Sequence, residues 1–129
     1  MNDITLPKKQ PAIRVIAMPK DANPGGSIFG GWIMSQVDLA ASIAALERAR
    51  GRVVTVAVNS FEFKEPVFIG DLISCYAEVI KVGKTSITIK VEVYAQRDPE
   101  HVKTVKVTEA QLTFVALDEN RKPRPVPKE

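Results

Sequence analysis

At 129 residues the chain suits one domain, and about two-thirds of the unfolded surface can be buried at this size, enough for a core. Apolar residues make up 45% and charged residues 26%, and the net charge of +3 is too mild to imply nucleic acid, though it favours an anionic small ligand. The single cysteine, Cys75, forbids an internal disulfide and fits a reducing, cytoplasmic setting.

Residues 1–11 are polar, contain Pro7 and Pro11, and read as a loose arm. Met1 is not followed by an apolar stretch, so no signal peptide is expected. Residues 12–17 (AIRVIA) form a short candidate strand, and 18–31 a loop with Pro19, Pro24 and four glycines. From Trp32 to about Arg50 no proline or glycine intervenes and alanine is frequent, which predicts a helix. Its apolar residues nearly surround the axis, as in a helix buried on all sides. The apolar run from Gly30 to Leu46 is too short for a membrane span and is broken by Ser35, Gln36, Asp38 and Ser42. Arg48, Arg50 and Gly51 supply a C-terminal stop.

Beyond Arg52 the apolar period becomes two. Strands are expected over 53–63, 71–82, 85–95 and 104–117, separated by turn signals at Pro66, Gly70-Asp71, Gly83-Lys84 and Asp98-Pro99. The parity shift between Val107 and Ala110 suggests a bulge near Thr108 or Glu109. Residues 118–129 hold three prolines and read as an extended, exposed tail. The order predicts an α+β fold in a single domain, 1–129, with a curved antiparallel sheet of five to six strands around one long helix. The far side of that helix would need a second cover, most simply another subunit.

Asp38 is the electrostatic misfit of the helix. A carboxylate among apolar residues is costly unless solvated, paired or kept for chemistry. There is no G-x-S-x-G elbow, and the only histidine, His101, lies beside the Asp98-Pro99 turn signal, far along the chain from Asp38, which argues against a Ser-His-Asp hydrolase. Gly25 and Gly30 lack the Lys-Ser/Thr of a P-loop, and one cysteine with one histidine cannot make a zinc finger.

The run Gly30-Gly31-Trp32-Ile33-Met34-Ser35-Gln36-Val37-Asp38, preceded by Asn23 and followed by Gly51-Arg52-Val53-Val54-Thr55-Val56, resembles the hotdog-fold acyl-CoA thioesterases of the YciA type. The likeness extends over roughly residues 14–127 and includes Pro66-Val67, Gly70-Asp71, Gly83-Lys84-Thr85-Ser86, Thr108-Glu109-Ala110 and Lys122-Pro123-Arg124. It implies hydrolysis of acyl-CoA to free CoA and a carboxylic acid. It also implies a dimer with interface active sites, commonly assembled into a hexamer as a trimer of dimers, and no metal or redox cofactor, coenzyme A being part of the substrate. Neither nucleic acid nor a membrane is an expected partner.

On this reading Asp38 is the candidate general base, or a nucleophile that forms an anhydride. The amides of Gly30 and Gly31 are the candidate oxyanion site at the helix N-terminus. Eight residues separate Gly30 from Asp38 (38 − 30), too far for both to reach one carbonyl in one subunit, so a two-fold interface is expected to bring them together. The resemblance adds Asn23, which precedes Asp38 by 15 residues (38 − 23), as a residue orienting water or the carbonyl. CoA phosphate candidates are Gly83, Lys84, Thr85 and Ser86, with Arg52, Arg97, Lys81 and Lys103. Phe29, Trp32, Ile33, Phe61 and Phe63 are candidate walls of an acyl tunnel. The alternatives are a non-catalytic acyl-CoA-binding hotdog protein and, disfavoured by the missing cleft histidine, a hydratase or dehydratase.

Overall fold

A computed structural model describes residues 4–129. Five strands, β1 (Ile13–Ile16), β2 (Val53–Phe63), β3 (Leu72–Val82), β4 (Ser86–Arg97) and β5 (Lys103–Ala116), form one antiparallel sheet. Its order is β1-β3-β4-β5-β2, so β1 and β2 are its edges. The helix α1 (Gly30–Ala49) packs against all five strands, as a sheet curled around it requires.

The alternation in β4 explains the layer. Ile87, Ile89, Val91 and Val93 are buried, while Ser86, Thr88, Lys90 and Glu92 face outward and are only part-covered. In β5 the switch of parity is a bulge at Val107: Val93 opposes Thr108 and Tyr94 opposes Lys106, leaving Val107 unpaired in register. The bulge therefore lies one residue before the expected Thr108 or Glu109. Val107 and Thr108 are both fully buried, and a buried threonine disguises the point where the apolar parity changes.

The helix begins at Gly30, two residues before the expected Trp32, so the glycine pair is its first turn. It ends with Arg50, and not Gly51, in the left-handed conformation (φ 55°). A Cβ on Gly51 would lie 2.9 Å from Arg124 Nη2 and would press on the guanidinium that bonds the Ala49 carbonyl. Burial of the helix on all sides is not what a single chain achieves. Ile33, Val37, Ala40, Ala41, Ala45 and Ala49 are buried against the sheet, whereas Met34, Leu39, Ile43 and Leu46 are exposed. The sheet reaches only one side of the helix cylinder. The edge strand β2 is likewise apolar and uncovered at Val54, Val56 and Val58, and it carries two register shifts against β5.

Both ends of the chain are tied to the sheet. Ala12 N–H donates to the Cys75 carbonyl at 2.8 Å, and Lys9 Nζ lies 3.9 Å from Glu78, so the arm runs beside β3. Residues 1–3 of the expected arm lie outside the described residues. The tail is extended but not simply exposed. Arg124 N–H donates to the Ala116 carbonyl and Val126 N–H to the Lys84 carbonyl, at 2.9 and 2.8 Å. Arg124 Nη2 donates to the Ala49 carbonyl at 2.9 Å, which satisfies a carbonyl at the helix C-terminus, and Arg48 Nη1 on the helix donates to the Pro127 carbonyl of the tail at 2.6 Å. No helix among the described residues is long and apolar enough to cross a membrane.

Candidate active site

Asp38 lies in the third turn of α1, on the border between its covered and uncovered faces, and is half-buried. Its Oδ1 accepts a hydrogen bond of 2.7 Å from Thr55 Oγ1 on β2. A hydrogen bond to a charged acceptor is among the stronger kinds and fixes the rotamer of the carboxylate. Among the described residues nothing donates to Oδ2, which leaves that oxygen to water or substrate. Thr55 was not among the candidates read from the sequence. The signal available for it is parity: Thr55 stands two residues after Val53 and is half-buried like it, between the exposed Val54 and Val56.

The N-terminus of α1 is left open. Phe29, half-exposed, stands at the N-cap and offers no side-chain cap, and the amides of Gly30 and Gly31 have no acceptor among the described residues. A Cβ on Gly31 would meet nothing within 4 Å, so the chain side of that residue is free space. The loop before the helix is held by the Ile28 N–H to Val67 carbonyl bond of 2.8 Å and by Phe29 N–H on the Asp21 carbonyl at 3.0 Å. These fixed points aim the amide pair outward in the sense needed for an anion. Along the helix, Gly30 and Asp38 are about 12 Å apart at ~1.5 Å per residue. One thioester carbonyl cannot touch both in a single subunit.

Asn23 is engaged within its own turn. Its Nδ2 donates to Ser27 Oγ at 3.0 Å, and its Oδ1 accepts from Ser27 N–H at 3.2 Å. The backbone repeats the pairing through Asn23 N–H on the Ser27 carbonyl at 2.7 Å, with Gly26 at φ +97° completing the turn. In this structure Asn23 shapes the loop that delivers the glycine pair.

The basic candidates fall at opposite ends of the sheet. Arg52 and the Gly83–Ser86 turn flank the end of β5, because Leu117 N–H donates to the Arg52 carbonyl and Ala116 N–H to the Thr85 carbonyl, each at 2.9 Å. The turn is closed by Gly83 N–H on the Ser86 carbonyl at 2.8 Å, and the Lys84 side chain is exposed. A Cβ on Gly83 would lie 2.7 Å from Ser86 Oγ, so a side chain there would make Ser86 turn its hydroxyl away. Thr55 is three residues from Arg52, which places the acid and this basic end together. Arg97 does not join them. It sits at the far end of β4, roughly 35 Å from Ser86 at ~3.3 Å per residue. There Arg97 Nη2 bonds the buried Asp71 carboxylate at 2.8 Å and the Pro66 carbonyl at 3.2 Å, and the guanidinium lies over the Phe68 ring at 5.0 Å. Asp71 Oδ2 also accepts from Phe68 N–H at 2.9 Å, so Arg97 locks the 66–71 loop onto the sheet.

Cys75 is fully buried, and burial pushes its thiol pKa up to about 12, so it stays protonated and is no nucleophile. The described residues contain no group of three or more His, Cys, Asp or Glu side chains placed to hold a metal ion.

Residues 25–101 match the thioesterase superfamily. The chain belongs to that superfamily. It is 46% identical over 123 residues to the acyl-CoA thioester hydrolase YciA of Salmonella typhimurium, covering 94% of this chain and 92% of that protein. A hexameric hotdog fold thioesterase of Campylobacter jejuni superposes with a TM-score of 0.88 at 50% identity, over 92% of this chain and 91% of that one. The arrangement of α1 and the five strands is thus the hotdog fold. An acyl-CoA hydrolase from Staphylococcus aureus, known in complex with butyryl coenzyme A and coenzyme A, has a TM-score of 0.82 at 32% identity, over 89% of this chain and 70% of that one. That enzyme has also been solved as an aspartate-to-alanine and as an asparagine-to-alanine mutant, and the two mutated positions are 15 residues apart.

Proposed function

We propose that the chain hydrolyses acyl-CoA thioesters to a carboxylic acid and free coenzyme A, with Asp38 as the general base. The observation that carries this reading is the half-buried Asp38 carboxylate, anchored through Oδ1 by Thr55 at 2.7 Å with Oδ2 left free. A water on Oδ2 gives up its proton to Asp38 as it attacks the thioester carbonyl. The oxyanion that forms is held by the amides of Gly30 and Gly31. Collapse expels the thiolate of coenzyme A, which takes the proton from Asp38. Water is the only co-reactant, and coenzyme A enters as part of the substrate.

Because Gly30 and Asp38 of one chain cannot meet at one carbonyl, the amides come from a second copy. The uncovered apolar face of α1 and the edge strand β2 are the surfaces such a copy would bury. The dimer is then the smallest active unit, and the hexameric state of the relatives extends to this chain as a trimer of dimers. Arg52 and the Gly83–Ser86 turn, at the same end as Asp38 and Thr55, are the grip for the coenzyme A phosphates. Asn23 keeps a role at the reacting carbonyl in this proposal. Its spacing of 15 to Asp38 equals that of the two residues mutated in the Staphylococcus aureus enzyme, and release of its bond to Ser27 would free its amide. A cytoplasmic setting fits the single reduced cysteine.

The test is release of free thiol from a panel of acyl-CoAs, comparing the parent with Asp38→Asn. A loss of about 10²–10⁴ in kcat with unchanged folding and assembly is expected for removal of a general base. Near-parental kcat would remove Asp38 from the mechanism. Tight acyl-CoA binding in calorimetry with no turnover by the parent would instead make the protein a non-catalytic acyl-CoA binder.

A further inference from the structure

Beside the first turn of α1 lies a shallow pocket of about 380 Å³, open to solvent within a single chain and lined by Ile28, Gly30, Ile33, Phe63, Pro66 and Val67. Lys64 and Glu65 complete the lining, and the Lys64 ammonium is turned to Glu62 at 3.3 Å. The walls present alkyl and aromatic surface with few polar groups. An acyl chain suits them, whereas the pantetheine arm carries two amides that would lose their hydrogen bonds to water there.

Phe63 is the wall whose ring lies beside Gly30 and is also uncovered within a single chain. The tip of its ring, Cζ, lies 3.2 Å from where a Cβ on Gly30 would stand, so the ring occupies the room that the missing side chain leaves. It is tilted against the Phe61 ring at a centroid distance of 4.8 Å, yet remains 54% exposed. A half-exposed aromatic ring contributes less to the core than a buried one, and its position instead bounds the cavity next to the backbone that faces the reacting carbonyl.

We infer that Phe63 determines which acyl chain lengths the enzyme accepts, by bounding the pocket that takes the acyl group beside Gly30. This rests on the thioesterase reading above. The mechanism is steric: a chain longer than the space under the ring must displace it, and each misfitted methylene in such a pocket typically costs tenfold or more in kcat/KM, on the order of 10–200.

The experiment measures kcat/KM from acetyl-CoA to palmitoyl-CoA for the parent, Phe63→Ala, Phe63→Leu and Phe63→Trp. Phe63→Ala is expected to raise the ratio of long-chain to short-chain kcat/KM by about tenfold or more, Phe63→Leu to raise it less, and Phe63→Trp to lower it. Ratios within a single preparation cancel the fraction of folded enzyme, and Phe63→Leu decides the matter if Phe63→Ala does not fold. Ratios that stay within about twofold of the parent in every folded variant overturn the inference and leave the thioesterase reading standing. A parent that hydrolyses no acyl-CoA overturns that reading, and this inference with it.

Discussion

Towards the sheet, α1 presents Ile33, Val37 and the alanines 40, 41, 45 and 49, each 3% exposed or less. Away from it stand Met34, Leu39, Ile43 and Leu46, between 38% and 53% exposed. Both sets are apolar, but the inward one is mostly alanine and the outward one is all large side chains. Alanines let the helix backbone approach the curled sheet closely, and that face is saturated within one chain. The bulky residues on the other side reach beyond anything the chain itself supplies. Covering each would contribute roughly 1 kcal/mol, at ~25 cal/mol per Å² of apolar surface removed from water. Asp38 sits on the seam between the faces, anchored to its own subunit by Thr55 and facing the region that a second copy would close. One face thus serves folding, and in the proposal above the other serves assembly, with Asp38 at their border.

The strongest way to break this division is to charge the outward face. Leu39→Asp combined with Leu46→Asp is expected to leave the far-UV circular dichroism spectrum intact while sedimentation shows a smaller species. Thioester hydrolysis should fall by about 10²–10³ or more, because the partner's oxyanion amides are lost with the interface. Full-size particles with parental activity would show that this face is not where subunits meet.

The inward face answers to a different change. Ala41→Leu forces extra methylenes into a fully buried site, and overpacking of this kind costs about 1–3 kcal/mol. A drop of several degrees in Tm is expected, since ~1 kcal/mol corresponds to about 3–5 °C for a chain of this size. The activity of the folded fraction should be close to that of the parent. An unchanged Tm would mean that the helix is not held against the sheet as tightly as its burial implies.

What was legible in the sequence divides along the same line. The strands of β4 and β5 and the helix show in local periodicity, which needs only the identity of neighbours along the chain. Asp38 shows as an anomaly within that pattern. Thr55 does not, because its partner is 17 residues away and a threonine in a strand is unremarkable until the helix is laid across it. Arg97 reads as one basic residue among several. Its commitment to Asp71 depends on the register of β3 with β4, where Leu72 opposes Gln96, and composition does not fix a register. The tail misleads through its three prolines. They do extend the chain, but the donors of Arg124 and Val126 lie between them and pair with Ala116 and Lys84. The hydrophobicity of the helix on all sides, with a single sheet to cover one of them, points to another subunit on the far side, but it does not say which surface of that subunit meets it.

The outward face of the sheet supplies the smallest and most specific test, because it settles its polar groups without a partner. Glu92 and Glu109 stand opposite one another across β4 and β5, with Lys106 Nζ between them at 2.8 and 2.7 Å. The hydrogen bond from Lys106 holds both carboxyls below the usual glutamate range. Burial alone would lower the Lys106 pKa, but its bonds to Glu109 and Glu92 outweigh that and keep it above the ordinary lysine value. A carboxyl whose pKa is depressed by folding stabilises the fold above its unfolded pKa of about 4.3 and loses that contribution as pH falls through the folded value. Lys106→Met removes the cation and leaves two carboxylates facing each other, which is itself destabilising. The groups are partly solvent-exposed, so the effect at about pH 7 is on the order of 1 kcal/mol, a few degrees in Tm. The gap in Tm between parent and variant should narrow as pH falls from about 7 through the depressed folded-state pKa values of the two carboxyls, which protonate on the way. A gap that stays constant across that range would show that Lys106 acts through the packing of its stem against Tyr94 rather than through its charge.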